Sequence, residues 1–211
     1  MENITPSKRR GRPPRQDRSP DDVKQLLLRK GLETFTSQGF SATGLDGILR
    51  AAKVPKGSFY YYFASKEAYG LAVLDHYDAF FCHLLAKSLN NSALPALARI
   101  HHFVEAAKAG MEKYQFQRGC LVGNLGQEVN LLPKAFRGRL EAVLQGWQHK
   151  MAATLAAAQG SGELAAGADC QQLANYFWIG WEGAVLRARL AESAAPLDTF
   201  IHGFLAGLPR P

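Results

Sequence analysis

Apolar residues recur along this chain at helical spacing almost from end to end, with no run of alternating apolar and polar positions that would mark strands. Leu45, Ile48 and Leu49 form one short stripe, Phe59 and Phe63 lie four apart in a second, and Leu71, Leu74, Phe81 and Leu85 mark a face of a long helix from Lys66 to Ser88. Pro55 interrupts the first stripe, because proline lacks a backbone donor and biases the residue before it away from helix. Asn90-Asn91-Ser92 closes the long helix and Pro95 opens the next. Further helices are predicted over Leu97–Tyr114, Cys120–Asn130, Pro133–Ala158, Asp169–Ala191 and Leu197–Ala206, separated by Gly160–Gly162, Gly167 and Pro196. No fixed period repeats, which excludes a solenoid and leaves an all-α fold.

The two short stripes carry the chemistry. Thr43 is placed as the N-cap of the first, the chain must turn at Lys53–Pro55, and Pro55 stands near the first position of the second, where its missing N–H costs nothing. Two short helices joined by such a turn form a helix-turn-helix, whose second helix leads into the DNA major groove with its N-terminal end. With Phe59 and Phe63 turned inward, Lys56, Gly57, Ser58, Tyr60, Tyr61 and Tyr62 face outward. Lysine donates to guanine acceptors or phosphate, glycine admits a close backbone approach, and tyrosine offers a hydroxyl beside a ring that can touch a thymine methyl. The three consecutive tyrosines point about 100° apart on a helix, so they cannot all be buried.

Charge reinforces this reading. Residues 1–66 hold thirteen Lys and Arg against six Asp and Glu, whereas residues 67–211 balance at twelve each, so the whole +7 lies in the first third. That is the footprint of phosphate neutralisation. Residues 1–20 are too rich in charge and proline to build a core and read as a disordered basic arm; residues 21–66 are the DNA-binding unit and 67–211 a larger helical domain. Within the arm, Arg10-Gly11-Arg12-Pro13 resembles an AT-hook core, in which Arg10 and Arg12 enter a narrow minor groove; a solubilising tail is the other reading. Cys82, Cys120 and Cys170 lack Cys-x-x-Cys spacing, which points to a reducing cytoplasm without a metal cluster. The basic, polar start and the lack of an apolar run near about 18 residues argue against secretion or a membrane span. Nucleophile elbow, Walker loop and His-Glu-x-x-His are absent and His101-His102 are adjacent, a poor metal geometry, so no enzyme, cofactor or metal is expected.

From Val23 to about Leu74 the chain resembles the TetR family of bacterial transcription regulators: Phe35, Gly39 and Phe40 match its first-helix ending, Thr43 its second-helix opening, and Lys56 through Glu67 its recognition helix and the start of the next. The resemblance implies DNA contacts from Thr43, Lys56, Gly57, Ser58, Tyr60 and Tyr61, with Lys66 as a phosphate anchor. It departs at Asp46, where many members carry an arginine that reaches DNA. It also implies a homodimer through the helices near 133–158 and 169–191, with a palindromic operator of half-sites about 34 Å apart. Arg118–Glu128 looks like the Gly-Cys-Leu-x-x-Asn-x-x-x-Glu segment of members that answer small electrophiles such as acrylate, and the stretch with Trp178, Trp181 and Glu182 is similar to them as well. On that likeness Cys120, Asn124, Glu128, Trp178, Trp181 and Glu182 contact a small-molecule inducer. Cys120 reads either as a buried small hydrophobe or as a thiol whose pKa is lowered by Arg118 and a helix N-terminus; Asn124 and Glu128 share a helix face that suits ligand contacts or an internal hydrogen bond; the tryptophans suit core or chamber wall. The expected function is a ligand-responsive repressor released by a small electrophile or acid, with an architectural DNA-binding protein as the alternative.

Overall fold

Ser19 opens the first helix by accepting the Asp22 N–H, while the Asp22 carboxylate accepts the Ser19 N–H in return. Pro20 follows at the first helical position, so helix α1 (Pro20–Gln38) begins inside the stretch expected to belong to the arm. The computed structural model describes residues 19–211; the arm residues Arg10 and Arg12 lie outside the described residues. Among them every regular element is a helix: α2 (Leu45–Ala52), α3 (Lys56–Tyr62), α4 (Lys66–Leu89), α5 (Ala96–Lys113), α6 (Leu121–Gln127), α7 (Lys134–Gly160), α8 (Cys170–Ala191) and α9 (Ala195–Ala206).

The turn between α2 and α3 falls where Pro55 requires it. Lys53 takes a left-handed conformation (φ 55°), and the N–H groups of Lys53 and Val54 return to the carbonyls of Arg50 and Leu49. Thr43 does not cap α2: Gly44 holds that position, and the buried Thr43 hydroxyl donates to the Gly39 carbonyl at 2.6 Å. Phe59 is fully buried on α3, and Phe63, already extended just beyond the helix, is buried beside it. Both rings pack on Tyr69 of α4, whose hydroxyl donates to the Leu27 carbonyl of α1 at 2.5 Å.

Helix α4 starts three residues after Phe63, with Ser65 accepting the Ala68 N–H as its cap, and runs on into the second half of the molecule. There Phe81, Phe103, Trp147, Phe177, Trp178 and Trp181 form one aromatic core, with Phe81 and Trp147 centroids 4.2 Å apart. Asp78 fixes α4 to α7, accepting Trp147 Nε1–H at 2.9 Å and an Arg139 Nη2–H at 3.0 Å, while Arg139 Nε–H reaches Asp75 at 2.6 Å. Several boundaries differ from the pattern-based reading, and Gly160, expected as a separator, ends α7. Helix α6 stops at Gln127 rather than Asn130, because Gly126 and the nearby Pro133 favour turns, and Val129 and Leu131 bond back only three residues. Pro196, expected as a separator, sits in the first turn of α9, where it is tolerated.

Gly70 on α4 lies at the junction of the two halves, where a Cβ would collide with the rings of Phe40 and, at 2.7 Å, Phe136. Overpacking at such a site costs about 1–3 kcal/mol against a helix-propensity gain of up to about 1 kcal/mol. Gly70→Ala is therefore expected to lower stability, and urea denaturation measures it; a gain in stability refutes the close-packed junction.

Candidate DNA interface and ligand cavity

The reading head presents α3 to solvent. Lys56 and Gly57 are exposed, Tyr60 is 53% and Tyr61 78% exposed, and Ser58 is half-buried. A Cβ on Gly57 would meet nothing within 4 Å, so the protein's own packing does not demand glycine there; the gap faces outward. The Lys56 ammonium pairs with Asp46 at 3.2 Å, both side chains being more than half exposed. Asp46 thus holds Lys56 at the tip of α3 while placing a negative charge on the same face. Arg50 and Lys53, exposed at the end of α2, add cations that the sequence pattern gave no reason to single out.

Two expected DNA contacts are turned elsewhere. Thr43 is buried with its hydroxyl committed to Gly39. Lys66 is half-buried, donates to the Phe40 carbonyl at 2.8 Å and sits 4.4 Å from the Phe40 ring centroid. Burial holds its pKa below the ordinary lysine value, with Glu128 opposing the shift. The Phe40 carbonyl takes up one of the three N–H donors of its ammonium.

Asp46 yields a test. An exposed ion pair contributes at most about 1 kcal/mol to stability, whereas an acidic group beside phosphate opposes binding. Asp46→Asn is expected to tighten binding to duplexes of any sequence by a few-fold at low salt, with the gain shrinking as salt rises, as measured by fluorescence anisotropy. Weaker binding by the variant would show that Asp46 serves DNA chiefly by positioning Lys56.

The second half holds a cavity of about 220 Å³ between α4, α5, α8 and the approach to α6, with Tyr77, Phe81, Met111, Cys120, Trp181 and Val185 among its walls. Phe80 and Tyr114, both exposed, stand at its mouth with Arg118, whose guanidinium lies 4.0 Å from the Tyr114 ring centroid. The Tyr77 hydroxyl and the Glu182 carboxyl both reach Cys120, making a small polar cluster against the apolar wall. Glu182 Oε1 and, one turn earlier on α8, Trp178 Nε1 are shut off from solvent without a protein partner.

Burial pushes the Cys120 thiol well above its usual pKa, and the Glu182 carboxyl adds to the shift. The activated-thiolate reading of Cys120 is therefore corrected: Arg118 stacks on Tyr114, and Cys120 is a protonated, buried cavity wall. Trp181 lines the cavity, whereas Trp178 sits behind it in the aromatic core, between Phe81 and Phe103. Asn124 and Glu128 do not line it at all. Asn124 donates to the Thr36 carbonyl at 2.9 Å and accepts from Arg189 at 3.0 Å, and the Glu128 carboxylate accepts the N–H groups of Phe40 at 3.0 Å and Ser41 at 2.7 Å. The internal-hydrogen-bond reading is the one the geometry supports. Tyr77 and Arg189 complete these networks; neither stands out from its helical stripe, since their roles come from contacts far along the chain.

Burial pushes the Glu182 carboxyl up to about 7, with the neighbouring Cys120 thiol opposing, against 4.5 for an unperturbed glutamate. The folded state keeps this proton longer than the unfolded chain, so the associated stability is full below the unfolded value and is lost as pH rises from about 4.5 to about 7. Relative to Glu182→Gln, the wild-type protein should lose no more than about 3 kcal/mol between pH 5 and pH 8. Parallel melting curves for the two proteins across that range would refute the assignment.

Among the described residues no helix is long and apolar enough to cross a membrane, and no group of three or more His, Cys, Asp or Glu side chains is placed to hold a metal ion. Residues 27–71 match the model of bacterial regulatory proteins of the tetR family, and residues 96–204 that of the tetracyclin repressor-like C-terminal domain. The chain belongs to the TetR family of transcription regulators, a non-enzymatic class. It is 48% identical to the transcriptional regulator AcuR of Cereibacter sphaeroides, over 93% of this chain and 89% of that protein. The HTH-type transcriptional repressor DhaR of a Mycobacterium species is 30% identical over 85% of this chain and 88% of its own length. Among solved structures, a TetR regulatory protein from Rhodobacter sphaeroides superposes with a TM-score of 0.86 at 47% identity, covering 88% of this chain and 98% of that one. Reduced NemR from E. coli gives 0.80 at 28% identity over 90% of this chain and 98% of that one.

Proposed function

We propose that the protein is a cytoplasmic repressor that binds a palindromic operator as a twofold dimer and leaves it when a small molecule fills the cavity. One observation carries this reading: α4 follows the recognition helix directly, and its later turns supply Tyr77, Phe80, Phe81 and Leu84 to the cavity, so one rigid element joins reader and chamber. An architectural DNA-binding protein has no use for such a chamber. Repression accords with the DhaR and NemR relatives, which are named transcriptional repressors.

The cavity lies below the usual range of about 300–1,000 Å³ for drug-sized ligands, which favours a compact inducer with an apolar body and one polar end beside Cys120, Tyr77 and Glu182. A protonated, buried thiol favours reversible binding over covalent capture, so Cys120→Ser should change inducer affinity without abolishing response. The dimer face is α8: Tyr176, Ile179, Leu186 and Leu190 are exposed along one side of it. The outer face of α7 offers chiefly alanine, charged and polar side chains, which makes it the lesser partner.

The test is a binding experiment on the duplex that the protein selects from a random pool. Lys56→Ala or Tyr61→Ala should weaken that complex by about 1–3 kcal/mol while sparing random DNA. A panel of small acids, aldehydes and quinones screened by thermal shift should contain at least one compound that both stabilises the protein and lowers its affinity for the selected duplex. Stabilising compounds that leave DNA affinity unchanged would refute the release mechanism.

A further inference from the structure

The loop Gly39–Ser41 joins α1 to α2 of the reading head, yet two of its amides are held from outside that head. Glu128, which ends α6, takes the Phe40 N–H at 3.0 Å on one carboxylate oxygen and the Ser41 N–H at 2.7 Å on the other. Lys66, the first residue of α4, donates to the Phe40 carbonyl at 2.8 Å. Gly39 stands at φ 83°, and a Cβ there would run into the Glu128 carboxylate, so the loop is shaped to admit this one side chain. One turn back along α6, Asn124 repeats the connection: it donates to the Thr36 carbonyl near the end of α1 and accepts from Arg189 of α8.

The other end of α6 lies at the cavity. Gly119 and Cys120, which lead into it, are both cavity walls, and a Cβ on Gly119 would touch the Arg189 side chain at 2.6 Å. Arg189 therefore contacts the cavity wall and the Asn124 connection at once. Cys120 and Glu128 lie only about 12 Å apart along α6, so a displacement of Gly119–Cys120 that carries this short helix as a body appears at Asn124 and Glu128.

We propose that Glu128 is a latch, with Asn124 and Arg189 as its lever, through which occupancy of the cavity is reported to the helix-turn-helix. An occupant that moves the start of α6 withdraws a charged acceptor from two loop amides and frees α1 and α2 to shift against α4. The proposal rests on the reading of the cavity as the ligand site, and it adds a second route to the one through α4. Glu128 would act as a positioning residue that touches neither ligand nor DNA.

The test is a double-mutant cycle, with the cavity filled from within by Ala107→Trp in place of an inducer. In the otherwise wild-type protein this filling should weaken binding to the selected duplex by about tenfold or more, and in the Glu128→Gln background by less than about threefold. Equal losses in both backgrounds overturn the latch. Glu128→Gln alone should shift selected-duplex affinity by about fivefold or more, spare random DNA, and speed amide exchange over residues 36–43 while the melting transition stays cooperative. Arg189→Met, which loosens the lever without touching the loop, should act in the same direction. If Ala107→Trp alone changes nothing, the cavity reading fails; the latch then stands or falls on Glu128→Gln, and an affinity within about twofold of wild type overturns it.

Discussion

Helix α4 has to belong to two cores at once. Near its start Tyr69 and Gly70 are buried against α1, the ring of Phe63 and the junction with Phe136; further on Tyr77, Phe81 and Leu85 are buried in the aromatic core with Trp147. Within the second stretch Asp78 satisfies the Trp147 indole and draws in Arg139, tying α4 to α7. A helix packed on both sides of a domain junction cannot tilt at one end and stay still at the other, because close-packed interfaces shift between discrete arrangements more readily than they deform.

The polar groups divide into two populations with opposite energetics. At the junction, Glu128 and Lys66 bond backbone groups and Asn124 bonds the Thr36 carbonyl and Arg189; the charge-assisted bonds of Glu128 and Lys66 are worth roughly twice a neutral one. At the cavity, Glu182 Oε1 and Trp178 Nε1 are enclosed without protein partners, each a cost of about 1–3 kcal/mol. The molecule is thus satisfied where its halves meet and unsatisfied beside the chamber. A ligand able to exchange hydrogen bonds with Glu182 beside Cys120 would recover part of that cost, which the apolar walls alone could not offer.

Much of the fold was legible because helical periodicity and breakers act locally. The turn at Lys53–Pro55, the inward Phe59 and Phe63 and the exposed Tyr60 and Tyr61 follow from spacing and proline chemistry. What spacing could not reveal was which partner a polar side chain would choose across the fold. Asn124 and Glu128 share a face of α6, as their four-residue interval requires, but that face looks onto α1 and its loop, residues almost ninety positions earlier. Lys66 and Thr43 show the same limit: each sits where DNA contact is plausible, and each donates to a backbone carbonyl that spacing could not reveal. Cys120 shows the limit in electrostatics, since a neighbouring arginine in sequence counts for little once its guanidinium turns to a tyrosine ring.

Helix α8 connects these features with assembly. Its inner face supplies Trp178 and Trp181 to the aromatic core, Glu182 to the Cys120 cluster and Arg189 to Asn124, while its outer face carries Tyr176, Ile179, Leu186 and Leu190 into solvent. In the proposed dimer that outer stripe is buried against its own copy, which fixes the helix about its axis and so fixes the directions of the inner side chains. Association of that kind would do more than pair two recognition helices: it would hold the cavity wall and the Arg189 contact still from behind, directing an occupant's displacement toward α6 and the reading head rather than losing it in a rolling α8.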